Sequence, residues 1–175
     1  TYMGTGGIPA SHPLHVGHIG IQVGSPYGND FFRGCDLVLG IGCRFNDRHT
    51  GAVEAYVEGR RFIHINIAPE HIGRIVPTEP GIVSDAGLAL DALMTAARAR
   101  TKPLSPSARV ARIPVERAAK ARKTDYDEVP IMPQRVYQEM NAFFGPDTMF
   151  TTGCGLTQIW SGQFQSIDKP RKYMA

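Results

Sequence analysis

The chain has 175 residues, enough for one domain of ordinary size and part of another. A content of 42% hydrophobic and 20% charged residues is that of a globular chain with a packed core. The net charge of +3, from 19 basic and 16 acidic residues, is too mild to imply nucleic acid, and no apolar run approaches the ~20 residues of a membrane span. No signal peptide opens the chain. Cys35, Cys43 and Cys154 are odd in number and lack CxxC spacing, which excludes a disulfide framework and structural zinc. They read as reduced, buried thiols of a cytoplasmic protein.

Short apolar runs alternate with helical patterns, the signature of an α/β fold with a mainly parallel sheet. Thr1-Tyr2-Met3-Gly4 reads as the end of a core strand, followed by the loop Gly4-Thr5-Gly6-Gly7, where glycine lets a backbone approach a ligand. The GxGxxG fingerprint is not completed there. His12, His15 and His18 recur every third residue and would share a helix face suited to zinc, but Pro13 and Gly17 break a regular helix and no carboxylate lies nearby. They are read as loop histidines, and no metal ligand is expected.

Residues 36–42 form an apolar run closed by glycines, 61–67 a second and Gly81-Ile82-Val83 a third. Such runs suit strands buried on both faces beneath helices. Pro69 to Gly73 reads as a short helical turn. After Ser84-Asp85, the spacing of Leu90, Leu93, Met94 and Ala97 predicts a helix with one buried face. Asp85 suits either the cap of that helix or a ligand's ribose or adenine.

Between the first two strands lies Gly40-Ile41-Gly42-Cys43-Arg44-Phe45-Asn46-Asp47-Arg48. Ligands of open α/β sheets bind at the carboxyl ends of strands, where this segment falls. Arg44 and Arg48 suit a diphosphate or an electron-rich ring; the alternative is a surface ion pair of Arg48 with Asp47 or Glu54.

From Arg98 to Lys123 the chain is rich in Arg, Lys, Ala, Ser and Pro, and reads as an interdomain linker with some helix in its second half. Pro103, Pro106 and Pro114 are expected to break any long helix. Arg109, Arg112, Arg117, Lys120, Arg122 and Lys123 are expected to form a solvated face. A new domain is expected near Val129. Its first helix starts at Pro133, carries Val136, Tyr137, Met140 and Phe144 on one face and stops at Gly145. A strand at 147–152, the turn Gly153-Cys154-Gly155 and a helix through Trp160 and Phe164 then make a site for phosphate. Lys172 to Ala175 stops where another strand could begin, so both ends are expected to be cut.

These residues resemble a known family. The run Arg44 to Glu54, with Glu58-Gly59-Arg60-Arg61-Phe62-Ile63-His64-Ile65, is similar to the central domain of the acetolactate synthase-like, thiamine diphosphate-dependent carboligases. Asn46 to Gly51, Ile72-Gly73-Arg74 and Gly81 to Ala86 lie closer to the glyoxylate carboligase branch, as do Pro133 to Asn141 and Gly155-Leu156-Thr157-Gln158.

The resemblance implies a six-stranded, Rossmann-like parallel sheet with helices on both faces, followed by the start of a second α/β domain. It implies a central FAD-binding-type domain over 1–100, a basic linker over 101–128 and the beginning of the thiamine diphosphate-binding domain over 129–175. FAD, held without a redox role, would contact Gly17 and Gly20, then Gly42, Cys43, Arg44 and Arg48, then Asn66, Ile67, Asp85 and Ala86. Asn66 stands where an acidic residue is common, and His18-Ile19 departs from the Met-His order of acetolactate synthases. Thiamine diphosphate would be approached by Cys154, Gly155, Leu156 and Thr157, with Mg2+ bound by a later motif, and no catalytic residue falls in the chain. The implied reaction joins two 2-oxo acids with loss of carbon dioxide, two glyoxylates giving tartronate semialdehyde, in a cytoplasmic homo-oligomer. Acetolactate synthase is the alternative within the family. Outside it stands a non-catalytic module holding FAD or another nucleotide, or a domain with an empty pocket. The isolated chain is expected to be inactive.

Overall fold

The computed structural model describes residues 2–100, 105 and 107–175. After a 3-10 turn at Tyr2–Gly4 come α1 (Pro26–Arg33), β1 (Leu37–Ile41), α2 (Asp47–Thr50), α3 (Val53–Val57) and β2 (Arg61–Asn66). A second 3-10 turn at Pro69–His71 leads to β3 (Gly81–Val83) and α4 (Ala86–Arg98). Then follow α5 (Ala108–Ala119), α6 (Pro133–Phe143), β4 (Phe150–Thr151), α7 (Leu156–Phe164) and β5 (Tyr173–Met174). These elements fall into two units, Gly34–Pro106 and Thr1–Arg33 together with Ser107–Ala175.

The Gly34–Pro106 unit is an α/β sandwich around one parallel sheet, in the order β1-β2-β3. Val38 pairs with Phe62 and Gly40 with His64 across β1 and β2, while Ile65 pairs with Ile82 across β2 and β3. The core sits on the middle strand, where Phe62, His64 and Ile65 are 2% exposed or less. Three strands stand where the resemblance implies six, and only the middle one is buried as the apolar runs predict. Leu37 and Leu39, two residues apart and so on one face of the edge strand β1, are both more than two-fifths exposed. The apolar stripe of α4 is similarly open at Leu90, Leu93 and Met94, because the helix meets β2 and buries the small Ala89 instead.

The expected N-terminal strand is absent: Thr1 lies outside the described residues, and Tyr2–Gly4 is helical. The nearby glycine loop meets its own chain, since a side chain on Gly6 would lie 2.6 Å from the Lys169 carbonyl oxygen. The strand expected over 147–152 shortens to Phe150–Thr151, paired in parallel with Tyr173–Met174. Thr148 N–H instead closes a turn on the Gly145 carbonyl, and Lys169 holds Asp147 at 2.7 Å. Helix α6 begins at Pro133 as expected but buries no residue, Tyr137 stacking on Phe164 at its side.

The basic stretch differs most from expectation. Pro103 and Pro106 lie outside the described residues, but Pro114 sits inside α5. The helix continues through this proline, which removes one backbone N–H from its ladder, and side chains near both ends and just past its C-terminal end reach residues 12–31. Arg109 donates to the Phe31 carbonyl, Arg117 to the carbonyls of His12 and His15, and Arg122 to that of Gly24, while Lys120 pairs with Asp30 at 2.6 Å. These four cations reach groups on residues 12–31 while staying partly solvated: Arg122 is exposed, and the Lys120–Asp30 pair is open to solvent.

Asp85 resolves as the cap of α4: its Oδ1 accepts from Gly87 N–H at 2.8 Å and Leu88 N–H at 3.2 Å. Asp85→Ala should therefore lower stability by about 1 kcal/mol in urea unfolding, and Asp85→Asn by clearly less, since asparagine also caps.

Candidate functional site

In the Gly34–Pro106 unit the candidate residues gather where β1 and β2 end. The ladder runs one step past β1, with Gly42 N–H on the Ile65 carbonyl at 2.8 Å. Gly42 then adopts a left-handed φ of 61° and turns the chain away. The Cys43 carbonyl that follows receives two side-chain donors from β2, His64 Nε2 at 2.7 Å and Asn66 Nδ2 at 3.3 Å. A carbonyl can only accept, so Nε2 is the donor here; Nδ1 is buried without a partner among the described residues. Asn66 Oδ1 accepts in turn from Ala68 N–H at 3.0 Å.

Phe45 completes the anchor. It holds a left-handed φ of 51°, unusual for a bulky residue, and is 3% exposed. Its ring lies over Gly40, where an added Cβ would stand 2.5 Å from the ring, so no larger residue fits there. The ring meets His64 and Phe62 edge-on and stacks on His49. His49 Nε2 lies 3.3 Å from the Tyr56 hydroxyl and Nδ1 3.7 Å from Cys43 Sγ. Burial holds the imidazole of His49 down at about 4 and pushes the Cys43 thiol and Tyr56 phenol up, so all three are neutral at pH 7.

On this base Arg44 and Arg48 point outward. Both are exposed, and neither forms an ion pair with a described residue; Asp47 accepts from the backbone N–H of Arg48. The surface ion pair with Asp47 or Glu54 is therefore not formed among the described residues. Two cations on a rigid turn suit a polyanion. Ile67, just past Asn66, is 72% exposed, and Ala86 is exposed beside the capping Asp85.

In the other unit, Gly17 and Gly20 lie in the loop that precedes α1. Asn29 clasps the peptide of Gly20, donating to its carbonyl at 3.1 Å and accepting from its N–H at 2.9 Å. His12, His15 and His18 belong to the same loop, and no group of three potential metal ligands occurs among the described residues. Cys154, Gly155, Leu156 and Thr157 form the turn into α7, all exposed. Gly155 has φ 132° and ψ −156°, a conformation essentially confined to glycine, and no side chain caps the helix behind it. The first amides of α7 thus lack a side-chain acceptor. Cys154 is exposed, contrary to a buried thiol, while Cys35 and Cys43 are intermediate. A cleft of about 230 Å³ in this unit, lined by Asn141, Phe144, Phe150 and Lys172 among others, includes none of the expected site residues.

The sequence reading missed His64, Phe45 and the carbonyl anchors of the basic stretch. For His64 a signal existed, a histidine within the apolar strand run. A side chain's grip on a distant backbone carbonyl leaves no pattern in the sequence.

Residues 1–93 match the family model for the thiamine pyrophosphate enzyme, central domain. The chain is 44% identical to glyoxylate carboligase of Escherichia coli O157:H7, over 99% of this chain and 30% of that protein. It is 34% identical to the acetolactate synthase large subunit of Corynebacterium glutamicum, over 99% of this chain and 28% of the other. A probable acetolactate synthase large subunit of Methanocaldococcus jannaschii is 32% identical, over 100% and 30%. The chain spans about three-tenths of the length of these curated relatives.

The depressed basicity of His49 sets a pH dependence. Between pH 6.5 and about 4 the unfolded chain protonates this imidazole and the folded chain does not. Stability present in full above pH 6.5 should fall as the pH drops toward 4, by about 2–3 kcal/mol from this residue. Urea unfolding across that range should show the slope, and His49→Gln should flatten it.

Proposed function

The chain belongs to the thiamine pyrophosphate-dependent enzymes, with the family's central domain over residues 1–93, and from that membership we propose that it serves in a glyoxylate carboligase. The observation that carries the reading is the identity of 44% to glyoxylate carboligase along nearly the whole chain, against 34% to an acetolactate synthase over the same extent. The proposed reaction joins two glyoxylates to tartronate semialdehyde with loss of carbon dioxide, in a cytoplasmic homo-oligomer. The proposed organisation is a central domain over 1–100, a basic linker over 101–128 and the start of the diphosphate-binding domain over 129–175.

The residues present fit the two organic cofactors to different degrees. For FAD, bound without a redox role, the exposed Arg44 and Arg48 suit the diphosphate, and the anchored backbone at Gly42 and Cys43 brings them to a fixed place. Ile67, exposed and apolar, suits the face of an adenine. Asn66 fits less well as a contact, because its amide is engaged with Cys43 and Ala68; its role is to hold the turn. Asp85 is likewise engaged as a helix cap, leaving Ala86 beside it as the exposed position. Gly17 and Gly20 rest on the resemblance alone, and the peptide of Gly20 is already engaged by Asn29.

For thiamine diphosphate, Cys154 to Thr157 offer a glycine turn and the uncapped start of α7, where amide groups and the helix dipole favour phosphate. When bound, that cofactor supplies the carbanion chemistry of the carboligation. Mg2+ is typical of the family and belongs to the proposal for the whole enzyme. The residues of this chain bind and orient; none is proposed to move a proton, and the chain by itself is expected to be inactive.

Two measurements test the reading. The purified chain, given FAD and freed of excess by gel filtration, should keep a flavin absorption band. The Arg44→Ala, Arg48→Ala variant should bind at least tenfold more weakly with unchanged melting. A folded chain that keeps no flavin would count against the cofactor assignment. An enzyme carrying this segment should release carbon dioxide from glyoxylate faster than from pyruvate, and the reverse preference would favour acetolactate synthase.

A further inference from the structure

Asn66 closes β2 at the carboxyl edge of the sheet, beside the glycine turn that follows β1. In nucleotide-binding α/β units, a carboxylate at the end of the second strand accepts hydrogen bonds from a ribose hydroxyl. Here an amide holds that place, and it is already committed. Its Oδ1 accepts from Ala68 N–H at 3.0 Å, and its Nδ2 donates to the Cys43 carbonyl at 3.3 Å. One partner can only donate and the other can only accept, so the two contacts fix which end of the amide is which. The side chain is 5% exposed, which leaves a ligand almost no surface to touch.

A carboxylate at this position would keep the Ala68 bond but has no proton to offer the Cys43 carbonyl. Two acceptors would then face each other in a buried place, where an unmade bond is costly. The amide instead joins the two turns that carry the exposed candidate groups. Through Cys43 it holds the segment presenting Arg44 and Arg48, and through Ala68 the segment presenting Ile67. Arginines give charge-assisted bonds to phosphate oxygens whatever nucleoside is attached.

We infer that this site recognises the diphosphate of its ligand and leaves the ribose 2′-hydroxyl unread, with Asn66 a positioning residue for the arginine turn. This rests on the reading of Arg44 and Arg48 as a diphosphate site, and it uses only residues of the Gly34–Pro106 unit. Asp85 at the end of β3 is the rival reader of a ribose. Its Oδ1 is held by two amides of α4, so its other oxygen is the one to be tested.

The experiment titrates the full chain with inorganic pyrophosphate, ADP and 2′-deoxy-ADP, and repeats the first two titrations on Asn66→Ala and Ile67→Ser. On the unsubstituted chain, ADP and 2′-deoxy-ADP should bind within twofold of each other. Asn66→Ala should weaken pyrophosphate and ADP by the same factor, at least fivefold, whereas Ile67→Ser should weaken ADP alone. Amide hydrogen exchange in Asn66→Ala should quicken at residues 43–48 and at Ala68, with the capped amides of Gly87 and Leu88 unmoved. A general loss of structure would quicken both sets. If Asn66→Ala loses its cooperative melt, Asn66→Ser, which keeps a shorter donor, is read in its place with smaller shifts of the same pattern. A larger loss on removing the 2′-hydroxyl overturns the unread ribose and points to Asp85. ADP weakened by Asn66→Ala with pyrophosphate unmoved makes Asn66 a nucleoside contact, and affinities or exchange left unchanged remove its positioning role. If the unsubstituted chain binds none of the three probes, the diphosphate reading itself fails and this inference with it.

Discussion

The carbonyl of Cys43 is the point on which the candidate region turns. It lies just beyond the last paired residues of the sheet, and two side chains of the neighbouring strand, His64 and Asn66, donate to it. Both donors are buried, so neither bond competes with bulk water, and losing one would leave a buried polar group without a partner. With this carbonyl fixed, the backbone is directed so that Phe45 enters the core in a left-handed conformation while Arg44 and Arg48 face outward. The strain of that conformation, on the order of 1–3 kcal/mol, is offset by a ring packed against Gly40, His49, Phe62 and His64.

The same logic recurs in the other unit with different chemistry. There the loop before α1 is held by arginines that reach backbone carbonyls, and by Gln163 of α7, which donates to the Gln22 carbonyl at 2.8 Å. The hydroxyls of Tyr2, Ser161 and Tyr173 meet in one cluster that ties the first residues to α7 and β5. In both units, exposed candidate positions sit on irregular backbone whose shape is set by side chains from elsewhere in the chain. This is how a loop without its own hydrogen-bond ladder can keep a geometry precise enough to bind.

Much of the fold was legible. Apolar runs located all three strands of the parallel sheet to within a residue, because strands beside a buried middle strand are selected for apolar, β-branched residues. The helix after Asp85 and its capping residue could be read from spacing and chemistry over a few positions. The readings that failed concerned burial and partners. Leu37, Leu39 and the stripe of α4 are open, although their patterns read as buried, and the basic stretch, solvent-accessible as its composition suggests, also reaches carbonyls far along the chain. Composition reports what a side chain favours, and not which groups are within its reach.

Local order along the chain was enough to establish the α/β class, the candidate arginines, the glycine turns and the family to which the chain belongs. Each depends on neighbours within about ten residues, where periodicity, capping and turn chemistry act. Contacts between residues distant in sequence settled the rest. His64 and Asn66 meet Cys43 across 21 and 23 residues, and Arg117 meets His12 across 105. Those meetings engage the Asn66 amide and tie side chains of the basic stretch to residues 12–31. They follow from strand register and helix docking, which bring side chains to carbonyls far along the chain, and no local pattern of residues encodes them.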